Sequence, residues 1–514
     1  MTDAVARLHY WASETPGSVL LLTRGRAYTY ADTVERAAAV AAALRPAGAG
    51  RGRRVALFLE EYDQFFVAML GAWLAGAVVV PLNTSLPQAD VDWLIAKSAT
   101  DVLVTAGADA CPSAGVPRLL VTQGGDGRVT GLHAAGEVPG AGEAGAGSAG
   151  AQGADAGLDP LGEDDLAMIM FTSGTTGLPK GVCQTLRGVS SNAGHVAETL
   201  GLGGGDRIFI NTPPYFTSGI CHFLTLMAHG GGVAGQLGFF FGAGLLDEME
   251  AQGCTGFGGA PAHLVRVVEP LDEPRDHTLR FWVSSGDHLP LPVIEKLRRV
   301  LPGVRLFNMY GLTEVSGRLC ILPAEELDER KGSVGRPIGG MRVVARRGDG
   351  AEAAADETGE LYATGPLLML GYLDEPEVTA RTLTKHGLRT GDFGHVDGSG
   401  AVWIAGRKDD IIKRGGEKVS IVHVQQALQG LGRFADVAVI AAPDDILGHV
   451  PVAFVVPHDA EGFKASRLLR ELRVILPSAS LPSRVIAVDA IPRTGSGKAI
   501  RAELKALLEQ ELGS

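Results

Sequence analysis

Positive charge is in short supply in this sequence: 46 Lys and Arg stand against 58 Asp and Glu, for a formal net charge of -12 and a pI near 5.6. Duplex nucleic acid is bound chiefly by neutralising its phosphates, so a nucleic-acid partner is excluded and any bound anion must be held locally. Cysteine is sparse too. The five present (Cys111, Cys183, Cys221, Cys254 and Cys320) are odd in number, scattered and without CxxC spacing. That pattern argues against a disulfide framework or a zinc site and predicts buried thiols in a reducing compartment. The opening residues, MTDAVARLHYWASETPG, place acidic and polar side chains where a secretion signal has a cationic lead and an apolar run, so the expected location is cytoplasmic. A membrane span is also missing. The stretch that comes nearest, Phe65 to Val80 (FFVAMLGAWLAGAVVV), is shorter than the roughly 20 residues a bilayer requires and stops at Pro81. It predicts a buried helix that turns at Gly76 into a short inner strand, AVVVPL.

What the chain does have is length and apolar content. With 514 residues, 46% of them hydrophobic, it exceeds the roughly 250–300 residues at which single cores stop growing, so a large unit and a small one are expected. From Val55 onward the runs VALFL, AVVVPL and DVLVTAG recur at intervals that leave room for a helix, the pattern of parallel strands joined by crossovers. Gly136 to Asp159 is Gly/Ala/Ser-rich and reads as a surface loop, partly disordered. A second α/β series follows in DRIFINTPP, CHFLTLMAHGGG, GCTGFGGAP, RFWVSSGD and VRLFNMYGLTE, whose runs end in the small and polar residues that line ligand sites at strand carboxyl ends. Beyond Lys331 the text turns β-rich, which predicts a small barrel or distorted sheet, and KDDIIKRGGEK then leads into a compact α+β tail. The expected division is therefore 1–406 and 407–514.

FTSGTTGLPKG, Phe171 to Gly181, follows the apolar run LAMIMF and so reads as a strand entering a glycine-rich turn. Gly174, Gly177 and Gly181 let backbone N–H groups turn toward an anion; Thr172, Ser173, Thr175 and Thr176 add hydroxyl donors, and Lys180 adds a point charge. Such a loop cradles a polyphosphate. GxxxxGK[ST] spacing is absent, which separates it from the P-loop. By itself a Gly/Ser/Thr loop of this kind is as well explained as a flexible surface turn.

Further motifs occur in a fixed order: NMYGLTE (Asn308 to Glu314), LRTGD (Leu388 to Asp392), GRKDDIIKRGGEK (Gly406 to Lys418) and PRTGSGKAIR (Pro492 to Arg501). With TSGTTGLPKG and the upstream AGAVVVPLN, the sequence resembles the acyl-adenylate-forming superfamily of acyl-CoA synthetases, aryl acid ligases, luciferases and peptide-synthetase adenylation domains over nearly its whole length. The resemblance implies a large N-terminal domain of two doubly wound sheets with a small barrel, followed by a mobile C-terminal domain. It implies a reaction in which a carboxylate attacks the α-phosphorus of ATP, expels pyrophosphate and leaves an acyl-adenylate, which the thiol of coenzyme A then attacks. The loop from Thr172 through Gly177, with Lys180, would hold the β- and γ-phosphates, and Glu314 would help place Mg2+. Thr313 would contact the α-phosphate, Tyr310 the adenine face and Asp392 both ribose hydroxyls, with Arg407 on ribose or phosphate. Gly286, Asp287, Asn308, Gly311 and Lys413 are assigned to the same nucleotide site. Lys498 would neutralise charge in the adenylation step, Asp409 would be the hinge, and Gly415 and Gly416 would border the thiol tunnel. Taken singly, Tyr310 reads equally as a packed aromatic, Glu314 as a solvated charge, and Lys498 as part of a tail loop.

Some positions depart from the family pattern. Thr217 stands where many acyl- and aryl-CoA ligases have a gating histidine, and His423 where a glutamate is common. The acid pocket is assigned to Phe216, Thr217, Phe257, Gly258 and Gly259, a roomy and mainly apolar set that implies a bulky apolar or aromatic carboxylic acid. PYFTSGI has no acidic residue to hold an α-amino group, which disfavours an α-amino acid. Transfer to a carrier-protein thiol or an amine is the alternative to coenzyme A. The oligomeric state stays open between monomer and homodimer.

Overall fold

The computed structural model describes residues 3–107, 111, 115–134, 159–172, 179–235, 243–286, 289, 291–407, 410–415, 417–444, 446–493 and 499–513. The surface loop expected at Gly136 to Asp159 lies almost wholly outside them.

Two large sheets carry the first part of the chain. One has nine strands in the order Arg336–Pro337, Gly317–Leu322, Arg305–Leu312, Phe281–Ser285, Gly256–Gly259, Arg207–Ile210, Gly232–Gly235, Val19–Thr23 and Arg26–Thr29. Its central six strands are parallel and its edges antiparallel. The other has eight strands, with Val78–Pro81, Arg54–Phe58 and Val102–Thr105 at its centre and Leu166–Thr172 and Lys180–Thr185 toward one edge. The near-continuous apolar runs seen in the sequence are thus inner strands covered on both faces.

The helix Tyr62–Leu74 joins the two sheets. All thirteen of its residues are buried, as expected of a helix that is apolar all round. Tyr62 donates from its hydroxyl to the Thr212 carbonyl (2.9 Å) beyond the first sheet's strand Arg207–Ile210, and Trp73 Nε1 donates to the Ala167 carbonyl (3.0 Å) in the second. Phe66 stacks on Phe223 at 4.0 Å, which seats the helix Thr217–Ala228 against it. At Gly71 a Cβ would fall 2.5 Å from Val40, so only glycine lets the helix Tyr30–Leu44 approach this closely. After the helix ends, Gly76 (φ +80°) makes the turn and the chain re-enters as Val78–Pro81, the turn read from the sequence. Among the described residues no helix is long and apolar enough to cross a membrane. Four of the five cysteines are buried and all five are free thiols.

Beyond Lys331 a five-stranded antiparallel sheet occupies the place expected for the barrel, bent by bulges at Glu360/Tyr362 and Phe393/Gly394. Its strand Val402–Arg407 is followed by Ile411–Arg414, which belongs to a fourth, five-stranded sheet packed with the helices Ile421–Gln429, Ala465–Ile475 and Arg501–Gly513.

Candidate active site

Strand carboxyl ends and the hairpins beyond them supply the site. Arg305–Leu312 runs out of the parallel run, turns through the short helical segment Thr313–Val315 and returns as Gly317–Leu322. Ser316 (φ +60°) makes the reversal, and Gly311 lies so close to the Gly317 carbonyl that no side chain fits between. The buried Asn192 pins the turn: its amide donates to the carbonyls of Val315 (3.3 Å) and Arg318 (2.6 Å) while its Oδ1 accepts from the Arg318 N–H (3.1 Å). Gln184 adds a bond from Nε2 to the Thr313 carbonyl at 2.5 Å. Thr313 and Glu314 are thereby presented on a rigid turn.

Three distant motifs meet here. The Tyr310 hydroxyl donates to Asp392 Oδ2, and Arg407 Nε lies 3.3 Å from Asp392 Oδ1. Asp392 is itself 4% exposed, and its backbone N–H donates to Thr390 Oγ1 at 3.1 Å. Burial, and then the Asp392 carboxylate, push the Tyr310 phenol well above its usual range, so it stays a donor. On the other side, the Tyr372 hydroxyl donates to Glu314 Oε1 (2.8 Å), and the Lys180 ammonium lies 5.5 Å from the Tyr372 ring centre. Arg407 is close enough to oppose the upward shift that burial and Glu314 impose on Tyr372, which links the two groups. Tyr372 escaped the sequence reading. Its only signal is tertiary, the antiparallel pairing of Tyr372 with Val182 that lays it beside the Lys180 strand.

Thr172 and Lys180 are cross-strand partners, with Thr172 Oγ1 donating to the Lys180 carbonyl at 3.4 Å. The phosphate loop therefore leaves and returns at one point, although Ser173, Gly174, Thr175, Thr176 and Gly177 lie outside the described residues. Gly286 (φ +102°) directly follows the strand Phe281–Ser285; Asp287 is likewise outside the described residues. Asn308 donates to the Ser333 carbonyl at 3.0 Å. Among the described residues no cluster of three or more potential metal ligands occurs. A single carboxylate such as that of Glu314 is compatible with Mg2+, which is commonly held by one or two carboxylates together with substrate phosphates.

The acid-pocket assignments divide. Thr217 Oγ1 sits 3.3 Å from Thr313 Oγ1, and Phe216, in edge contact with Tyr215 at 4.9 Å, opens the same helix. Phe257, by contrast, is fully buried between Phe209 and Trp282 on the opposite face of the sheet, in the core with the helices Pro261–Val268 and Leu291–Val300. The side chains of successive residues on a strand point to opposite faces, so Phe257 cannot share a wall with Gly258. Nor do the two glycines open a large space. A Cβ at Gly258 would fall 2.6 Å from the His222 ring, and one at Gly259 would fall 2.6 Å from Phe257 and 2.9 Å from His263. The room they leave is already filled.

In the C-terminal unit, Asp409, Gly416 and Lys498 lie outside the described residues. Gly415 (φ +56°) makes the turn after Ile411–Arg414, and Lys413 is exposed on that hairpin. The buried Asp410 accepts from the Arg407 N–H (3.0 Å) and pairs with Arg501. The segment 494–498 has a described stem: Arg493 bridges to Ala499, the Ile500 N–H donates to the Pro492 carbonyl at 2.8 Å, and Arg493 Nε holds Asp436 at 2.8 Å. That stem faces the large unit, since Arg493 and Gly286 line one cavity of about 410 Å3.

Two family models cover this arrangement, that of AMP-binding enzymes over residues 8–373 and that of the AMP-binding enzyme C-terminal domain over 423–498. The chain belongs to the AMP-binding enzyme family. Among the relatives of this AMP-binding enzyme, a feruloyl-CoA synthase from an Amycolatopsis species is 30% identical over 501 residues, covering 96% of each chain. An o-succinylbenzoate CoA synthetase from Bacillus subtilis, solved with its acyl-adenylate intermediate, superposes with a TM-score of 0.81 at 25% identity, over 97% of each chain. The same synthetase solved with ATP and magnesium ion gives a TM-score of 0.82, covering 97% of this chain and 99% of that one. The AMP-binding enzyme described here is an acid–thiol ligase of the acyl-CoA synthetase type, using ATP, Mg2+ and coenzyme A and passing through an acyl-adenylate.

Proposed function

We propose that Asp392, Tyr310, Arg407, Glu314, Thr313 and Lys180 form the adenylation centre, with Lys498 delivered to it from the C-terminal unit. The observation that carries this reading is the convergence of Tyr310, Asp392 and Arg407, which come from three motifs up to 97 residues apart, on one buried carboxylate. An ionised carboxylate offers about four acceptor positions, so Asp392 keeps lone pairs for ribose hydroxyls after binding Tyr310 and Arg407. Tyr310 and Arg407 fix its orientation. Thr313 and Thr217 present adjacent hydroxyls toward the α-phosphate and the entering carboxylate. Glu314, oriented by Tyr372, supplies the carboxylate that would hold Mg2+, whose charge would offset that of the leaving pyrophosphate. Lys180 stands where the phosphate loop closes.

Residues 407–514 act as the moving unit in this reading, with Asp409 as its pivot and Gly415 and Gly416 meeting the thiol arm. The acid has an apolar or aromatic body, on the strength of Tyr215 and Phe216 at the head of the helix Thr217–Ala228, and the five free thiols favour a cytoplasmic setting. Pyrophosphate exchange into ATP over a panel of acids tests adenylation, and mass spectrometry of the product with coenzyme A or a carrier protein tests the acceptor. Absence of exchange with every acid contradicts the assignment; acylation of carrier protein alone would replace coenzyme A as acceptor.

A further inference from the structure

Arg318 lies four residues beyond Glu314 on the returning strand Gly317–Leu322 and is 7% exposed. Three other arginines of low exposure are matched to acids, Arg26 to Asp63, Arg330 to Asp397 and Arg493 to Asp436, while Arg207 and Arg346, which also carry a buried nitrogen without a partner, donate to the carbonyls of Gln252 and Gly350. Arg318 forms no ion pair with any described residue, and its buried Nη2 has no hydrogen-bond partner. The groups that face it are the Cys221 thiol and the His222 ring. Neither is an anion. Burial drives His222 down to about 3, with Arg318 adding to the shift, so this imidazole is neutral; burial also raises the Cys221 thiol, so it is not a thiolate at neutral pH.

A guanidinium cannot escape burial by losing its proton, and an unpaired charge in a protein interior is strongly unfavourable. A fold that keeps one there leaves its neutralisation to something that enters from outside. The position says what. Arg318 points to the face of the nine-stranded sheet that holds His222, whose ring occupies the space over Gly258, and its strand partner across the hairpin is Gly311. The same hairpin carries Thr313, whose hydroxyl lies 3.3 Å from that of Thr217, so Arg318 belongs to the turn that bears the proposed site. The carboxylate that attacks phosphorus is a poor candidate for this arginine, because a buried ion pair would stabilise the nucleophile in its ground state and hold it back.

Resting on the ligase reading above, we propose that Arg318 is a specificity-determining residue and that the acid it selects carries a second anionic group, carboxylate or sulfonate, which pairs with the guanidinium while the first carboxylate is adenylated. The body between the two charges is the apolar part that Phe216 and its neighbours contact. The chain would then discriminate by charge at the far end of the substrate, since a monoanion of the same shape leaves Arg318 unpaired.

The test is pyrophosphate exchange with acids matched in length and body but differing in one terminal charge: butyrate against succinate, hexanoate against adipate, benzoate against terephthalate and 4-sulfobenzoate. The wild-type protein is expected to favour the dianion in at least one pair by tenfold or more in kcat/KM, with carboxylate and sulfonate arms separating the two sources of charge. Arg318→Leu should reverse that preference while leaving the KM for ATP within about threefold, and Arg318→Lys should restore part of it. Melting temperature gives a second readout: loss of an unpaired buried charge leaves it unchanged or higher, whereas a structural role lowers it. Exchange with monoacids and no dianion preference in any wild-type pair overturns the inference and leaves the ligase reading standing. An equal loss of all acids in Arg318→Leu overturns it too. No exchange with any acid removes the ligase reading and this inference together.

Discussion

Asp392 shows how a single side chain ties the site together. It is held by a phenol on one oxygen and a guanidinium on the other, so its direction is fixed by the protein itself. Asp392→Asn keeps the shape but loses the charge and one set of lone pairs. The expected result is a rise of roughly 10–100-fold in the KM for ATP, on the scale of the 1.5–3 kcal/mol typical of hydrogen bonds to charged groups, with a smaller change in kcat. Exchange rates at varied ATP measure it. His222 supports a prediction about pH. Its folded pKa, about 3, lies below the unfolded value near 6.5, so the unfolded chain binds the extra proton first. Stability is therefore complete above pH 6.5 and is lost as pH falls toward 3, by at most about 1.4 kcal/mol per pH unit from this residue. His263, pulled down to about 4 by burial and Arg266, adds in the same direction. Urea midpoints at pH 7.5 and 5 should differ less in His222→Gln than in wild type. Both residues illustrate what was readable: Asp392 was legible because it sits in the quoted motif LRTGD, while the histidine over Gly258 was not, because only packing across the sheet puts it there.

Among the elements, the hairpin from Arg305–Leu312 to Gly317–Leu322 does the positioning. Its glycine at 311 looks like a nucleotide contact in a motif, but the structure supplies a different reason for it, since the Gly317 carbonyl fills the place of a side chain. Gly311→Ala should lower stability by about 1–3 kcal/mol through overpacking and reduce exchange activity along with it, because Thr313 and Glu314 ride on the same turn. Thermal unfolding and exchange on one preparation check both. A replacement that left stability unchanged would return Gly311 to a nucleotide-facing role. Strand and helix order were legible from apolar runs and their Gly, Pro and Asn stops. Asn192 and Gln184, which pin the turn from over 120 residues away, were not, because nothing local distinguishes a buried amide from a surface one.

At the scale of the molecule, the chain beyond Arg407 forms its own sheet, and its Arg493 lines one cavity with Gly286. The stem of the segment 494–498 is closed by the Arg493–Ala499 bridge and anchored through Asp436, and Asp410 ties the junction to the final helix through Arg501. Lys498→Ala is expected to reduce adenylation by two or more orders of magnitude, in the range reported for loss of a preorganised electrostatic contact, while preformed acyl-adenylate is still consumed with thiol. Measuring the two half-reactions separately decides it, and equal loss in both would refute the role. Motif order and composition determined the family and the α/β architecture, because those features are local and survive in the linear text. Which face of the sheet each side chain occupies was decided only by the folded chain. It moved Phe257 into the core, filled the space over two glycines, added Tyr372 and left Arg318 without an ion pair among the described residues, since pairing across strands and burial depend on neighbours that sequence distance does not reveal.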